Sequence, residues 1–267
     1  MTTNTNVLYL SHGGGPMPLM GDPGHSEMVA CLQSIGRELV KPAAIIVISA
    51  HWEESVCRVL SAPEPPLLYD YYGFPDETYQ IQYPCPGQPE LATRIKQALI
   101  AAKINCELEP SRGFDHGVFV PLKLMFPQAD IPCVQISLQS SLDAAAHLAL
   151  GAALRSLIGE DILIVGSGFS FHNMRAFFSA RSASDRKKNT EFEHWLQETC
   201  QSPELTSSQR WQRLTGWHQA PGARYCHPRE EHLLPLHVCY GLAQQAADRA
   251  YQVSILNVQS SMYLWHL

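Results

Sequence analysis

Twelve of the 267 residues are histidine, the side chain whose neutral form ligates metals and whose charge changes near physiological pH. Four follow apolar runs closely. His12 follows VLYLS and opens HGGGP, His51 follows AIIVISA and opens HWEE, His172 follows ILIVGSGFSF, and His232 lies in REEHLLPLH. A fifth, His116, stands in RGFDHGVFVPL between a loop and an apolar helix. Each alone reads as a structural or surface imidazole. Several at strand ends of one sheet can converge although they are far apart in sequence, and together they could hold a cation or pass protons. HGGG at 12–15 has a rival reading, because hydrolases of the lipase type build an oxyanion hole from such a turn. That chemistry needs G-x-S-x-G, and GSGFS at 166–170 frames neither Ser167 nor Ser170 correctly. The glycines, Gly13 first, more simply let backbone or substrate approach behind His12. HExxH is absent, and His232 and His237 are five apart, so a zincin helix is not indicated. Glu53, Glu54 and Glu230 read as surface or helix-start carboxylates, with Glu231 a possible carboxylate ligand.

The elements that must position these residues read as follows. Short apolar runs rich in Val and Ile at 7–10, 43–50, 56–60, 131–138, 161–166 and 251–258 predict strands. Near-continuous apolar character predicts a sheet covered on both faces. Helical periodicity spans 25–40, 89–103, 141–158, 185–200, 203–214 and 229–248, with Ser141, Asp143 and Ser202–Pro203 as helix-start signals. Strands alternating with helices predict an α/β fold, a single domain over 1–267 whose central, mostly apolar mixed sheet is flanked by helices on both faces. The carboxyl ends of its strands are where a site belongs. The proline- and aromatic-rich stretch 62–89 cannot be a regular helix and predicts a structured loop or lid. With 45% hydrophobic and 16% charged residues the chain is globular. A net charge of −6 without a basic run argues against nucleic acid or an anionic membrane as partner. No apolar run reaches transmembrane length. Eight cysteines without CxxC spacing predict reduced thiols in a cytoplasmic protein. No nucleotide fingerprint is present.

SHGGGP at 11–16, SAHWEE at 49–54, YDYYGFP at 69–75, YPCPGQPELA at 83–92, RGFDHGVFVPL at 112–122, GSGFSFHNM at 166–174 and REEHLLPLH at 229–237 occur in that order. The set resembles the class III extradiol ring-cleavage dioxygenases, specifically the 4,5-DOPA dioxygenase-like group. The resemblance runs from about residue 7 to about 240. It implies an Fe(II) enzyme that opens the ring of a catechol such as L-DOPA with O2. It implies His12, His51 and His232 as metal ligands, with Glu231 as the alternative, and His172 as the catalytic acid–base that could also be a fourth ligand. It implies His116 as a second catalytic histidine facing the substrate, and Tyr263 as a tyrosine near the substrate pocket. Three neutral ligands favour an ionised catechol. Zn(II) can occupy the same site in purified protein, because it binds imidazole more tightly than Fe(II). A non-enzymatic metal-binding scaffold of the same superfamily is the second reading, and an HGGG-type hydrolase the third.

Overall fold

The computed structural model describes residues 5–267. Eight strands form one mixed sheet: β1 (Asn6–Ser11), β2 (Ala44–Glu54), β3 (Cys57–Leu60), β4 (Cys106–Glu109), β5 (Cys133–Gln139), β6 (Ile162–Gly168), β7 (Arg249–Ile255) and β8 (Val258–His266). Their spatial order is β4-β3-β5-β2-β6-β1-β8-β7. The middle four, β5, β2, β6 and β1, are mutually parallel. Their side chains are almost all buried, as their unbroken Val/Ile/Leu content requires when both faces are covered. The edges are antiparallel additions, β3 on β5 and the β7–β8 pair on β1.

The helices are α1 (Ser26–Glu38), α2 (Pro89–Ala101), α3 (His116–Met125), α4 (Ala144–Ala153), α5 (Met174–Phe177), α6 (Ala183–Gln201), α7 (Ser207–Thr215), α8 (Ala223–Cys226) and α9 (Leu234–Ala243). Two neighbours on β6 show that they cover both faces. A Cβ on Gly166 would meet Cys239 and Pro235 of α9, whereas the next residue, Ser167, hydrogen-bonds the carbonyl of Gly117 in α3. Successive strand residues point to opposite faces, so α3 and α9 lie on opposite sides. α1 packs beside α3, and α4 packs along α9.

Several expected boundaries are corrected. The run at 251–258 is not one strand. The chain reverses at Leu256 and Asn257, whose φ angles of 50° and 62° are the positive pair of a tight hairpin turn, and β8 carries the C-terminal segment back beside β1. The expected helix at 203–214 starts at Ser207, where Thr206 and Gln209 form a capping box, so Ser202–Pro203 is not its cap. The expected helix at 229–248 is limited to α9, which frees 229–233 as a turn. Asp143 does cap α4, accepting from Ala146 N–H at 2.7 Å. The short edge strand β4 was not anticipated. The stretch 62–89 contains no α-helix before α2. It is pinned through Leu68 N–H to Phe114 O and Phe114 N–H to Pro66 O, both 2.8 Å.

Candidate metal centre

All five singled-out histidines meet at the carboxyl ends of the parallel strands, and each element aims its imidazole by a local device. His12 continues from β1, its N–H donating to Gly168 O at 3.1 Å. His51 lies within β2 itself, because the strand runs on to Glu54. Between Ile48 and Glu53 the register with β5 slips, an irregularity of the kind that re-aims side chains beside active sites. There the His51 N–H donates to Ser49 Oγ at 3.2 Å, and Ser49 Oγ donates to the fully buried Asp115 at 2.7 Å. Arg112 donates to both His51 O (3.2 Å) and Asp115 (3.1 Å). His116 is the first residue of α3. His172 follows β6, and His232 stands in the turn before α9.

The rings of His12, His51 and His232 make a nearly equilateral triangle, with centroids 4.8, 5.2 and 4.9 Å apart. His116 flanks it, 3.9 Å from His51 and 5.3 Å from His12. His172 stacks on His232 at 3.5 Å. Donor atoms of His12, His51 and His116 lie within 4.8 Å of one another, as do those of His172, Glu231 and His232.

The outward nitrogens decide the tautomers. Asp70 Oδ1 accepts from His116 Nδ1 at 2.8 Å and from its backbone N–H at 2.9 Å, and Asp70 Oδ2 lies 3.5 Å from His51 Nδ1. Glu231 Oε1 accepts from His172 Nδ1 at 3.0 Å and from His232 Nδ1 at 3.1 Å. Ser167 gives its hydroxyl proton to Gly117 O, so at 3.0 Å it accepts from His12 Nδ1. An acceptor on Nδ1 leaves Nε2 bare in a neutral ring. His12 Nε2 and His51 Nε2 face each other at 3.0 Å. With both rings as Nδ1–H tautomers these are two lone pairs, which repel unless a positive charge lies between them, whereas a proton on one of the two nitrogens makes the contact a hydrogen bond. Two imidazole nitrogens bound to one cation at about 2.0–2.1 Å are separated by roughly this distance. The donor set therefore fits a divalent cation, with outer partners of the kind metal-binding histidines use. Glu231 is occupied as such a partner on Oε1, and Arg229 lies 3.4 Å from its Oε2.

Electrostatics agree. Burial, then the neighbouring imidazoles, hold His12 and His232 well below the usual histidine range. The same causes outweigh the pull of Asp70 on His51. Neutral imidazole is the ligating form. Burial pushes Asp70 up, but the side-chain and backbone hydrogen bonds from His116 and the electrostatic pull of the His116 and His51 rings outweigh it and hold the carboxylate at about 2.

Two other candidates are placed differently. Gly13 stands beside His12 with φ 82°, and a Cβ there would meet Pro18 at 2.7 Å and His25 at 2.8 Å. Its glycine character serves the turn, and the next N–H, Gly14, donates to His25 Nε2 at 3.1 Å. That N–H is engaged within the turn, and Ser167 and Ser170 are fully buried. Neither observation favours the hydrolase reading. Tyr263 lies in the interior of the sheet. It pairs with Tyr9 across β1 and β8, is fully buried, and donates to Ser261 Oγ at 2.9 Å. Asp70 and Ser167, which hold ring nitrogens, and Asp115, which anchors Ser49 beneath His51, had no such role in the sequence reading, where Ser167 enters only as an ill-framed nucleophile. Their contacts span 46 to 155 positions, and the one available hint was the acid lying inside the aromatic motif YDYYGFP.

The family described as "Catalytic LigB subunit of aromatic ring-opening dioxygenase" matches residues 6–263. Dioxygenase tasH of Hapsidospora irregularis is 41% identical over 274 residues, covering 97% of this chain and 85% of the relative. The 4,5-DOPA dioxygenase extradiol of Mirabilis jalapa is 33% identical over 246 residues (88% and 85% covered). The protein of that name from Escherichia coli (strain K12) is 35% identical over 237 residues (88% and 84%). Among solved structures, the uncharacterized protein JW3007 from Escherichia coli K12 superposes with a TM-score of 0.74 at 29% identity, covering 97% of this chain and 98% of the other.

Proposed function

The chain belongs to the family of the catalytic LigB subunit of aromatic ring-opening dioxygenases and is an extradiol ring-cleavage dioxygenase, and from that premise we propose that it uses Fe(II) and O2 to cleave a catechol such as L-DOPA. The observation that carries the reading is the triangle of His12, His51 and His232, each with its Nδ1 turned to a hydrogen-bond or ion-pair partner. In this reading those three hold the cation. Fe(II) bound there supplies the O2 chemistry and a positive charge that favours an ionised catechol.

The chain's own groups supply the proton chemistry. His172 keeps Nε2 free while Nδ1 is tied to Glu231, so Nε2 accepts the proton of a catechol hydroxyl. The Glu231 carboxylate stabilises the imidazolium that results and orients the ring. His116, held the same way by Asp70, presents Nε2 as a hydrogen-bond partner to the substrate. General acid–base help of this kind contributes about 10²–10⁴-fold. Tyr71, whose ring meets His116 edge-on at 5.9 Å, and the rest of the aromatic loop wall off the His116 side. Iron-loaded protein incubated with L-DOPA under air is expected to give a yellow ring-cleaved product. Bound iron without turnover of any catechol in a panel would refute the reading.

A further inference from the structure

Beside the histidine cluster a cavity of about 610 Å³ opens against His172 and Glu231, with α5 and Tyr225 among its walls. Four charged residues line it: Arg175, Asp185, Arg229 and Glu231. Three are matched by other residues. Arg229 grips Glu53 through two nitrogens at 2.7 and 2.5 Å. Asp185 completes the capping box of α6 and lies 3.4 Å from Lys188 Nζ. Glu231 holds the two stacked histidines. Arg175 is exposed, and among the described residues no carboxylate lies within ion-pair distance of it. The backbone that carries it is nonetheless held. Asn173 caps α5 by accepting from Ala176 N–H at 3.2 Å and donates to Tyr225 O at 2.6 Å. Arg175 follows His172 by three residues, a stretch that spans at most about 10 Å, which is the reach of a catechol ring with a short side chain.

We propose that Arg175 is a specificity-determining residue that recognises a carboxylate on the side chain of the catechol, so that acidic catechols are preferred over neutral ones. The inference rests on the dioxygenase reading and adds the class of substrate. A guanidinium offers two parallel N–H donors to a carboxylate. With its hydroxyls at His172, a catechol directs its side chain into the cavity, where the uncompensated charge is positive. A cationic side chain gains nothing from Arg175.

The test is steady-state ring cleavage by iron-loaded wild type, Arg175→Met and Arg175→Lys. The probes are 3,4-dihydroxyphenylpropionate, 4-methylcatechol and dopamine. Wild type should show the highest kcat/KM on the acid. Arg175→Met should lower the ratio of kcat/KM for the acid over that for 4-methylcatechol about two- to fivefold, through KM, the size expected of a solvent-screened charged contact. Arg175→Lys should recover part of it. An unchanged ratio in Arg175→Met, or a wild type that prefers the neutral or cationic catechol, would overturn the inference while leaving ring cleavage intact. No cleavage of any of the three by iron-loaded wild type would overturn the reading beneath it, and the inference with it.

Discussion

Replacing Asp70 tests whether the aromatic loop is part of the metal centre or merely packs against it. Its carboxylate accepts the His116 backbone N–H at 2.9 Å and Nδ1–H at 2.8 Å, and reaches His51 Nδ1 at 3.5 Å. Each charge-assisted bond contributes about 1.5–3 kcal/mol, and a backbone N–H left without a partner costs about 1–3 kcal/mol. The Asp70 side chain is 18% exposed, so solvent replaces part of what is lost. We therefore expect Asp70→Ala to destabilise the fold by about 2–3 kcal/mol. The functional effect is larger in proportion, because two rings lose their outer anchor at once. Removing outer partners of metal-ligating histidines typically costs about 10–100-fold in metal affinity or activity. Asp70→Asn keeps an acceptor for the His116 N–H but loses the charge, and should fall between wild type and alanine. Iron per chain after dialysis against buffered Fe(II), thermal unfolding, and kcat/KM on a catechol measure the three quantities. Asp70→Ala with wild-type iron affinity and turnover would refute the reasoning.

Three further outcomes follow from the coordinates. His172→Ala should remove most turnover while iron content stays near wild type; loss of iron would make His172 a ligand instead. Gly168→Ala places a Cβ 2.1 Å from His232 O, so it should cost about 1–3 kcal/mol by overpacking and lower iron occupancy, and normal occupancy would argue against a rigid His232 turn. Glu193 is buried in α6 behind β8, accepting from Ser261 Oγ at 2.6 Å, and burial, against the hydrogen bonds of Ser261 and Ser170, raises its carboxyl to about 7. The folded state thus keeps a proton that the unfolded chain releases earlier. The stabilisation from this group is complete below about pH 4.5 and is lost as pH rises through about 7, amounting at most to about 3 kcal/mol. Denaturant unfolding at pH 5 and pH 7.5 should show that slope in wild type and lose it in Glu193→Gln; equal slopes would contradict a protonated Glu193.

Much of the architecture was legible because burial on both faces writes itself as apolar runs. AIIVISA and DILIVG could be little other than interior strands, and histidines following such runs had to collect at one end of a parallel sheet. The β7–β8 hairpin was hidden because its turn uses Leu256 and Asn257 at positive φ in place of the glycine that usually marks such a turn. The extension of β2 through His51 was hidden because HWEE reads as polar loop, while the strand in fact continues across a register slip beside β5. The setting of Tyr263 was hidden for the same reason as β8: the C-terminal segment carried no strong pattern, and pairing with β1 sends that side chain into the core. Asp70 shows the larger limit. An acid 46 positions from the histidine it holds leaves no periodicity or spacing to read, and its role emerges only when the loop 62–89 is folded back over α3.

The most direct test of the central claim is a crystal structure of the Fe(II)-loaded protein, prepared without oxygen and measured on both sides of the iron absorption edge. The account predicts one anomalous peak within bonding distance, about 2.0–2.2 Å, of a ring nitrogen from each of His12, His51 and His232. A peak bonded to a different set, or none among these rings in protein shown to contain iron, would contradict it.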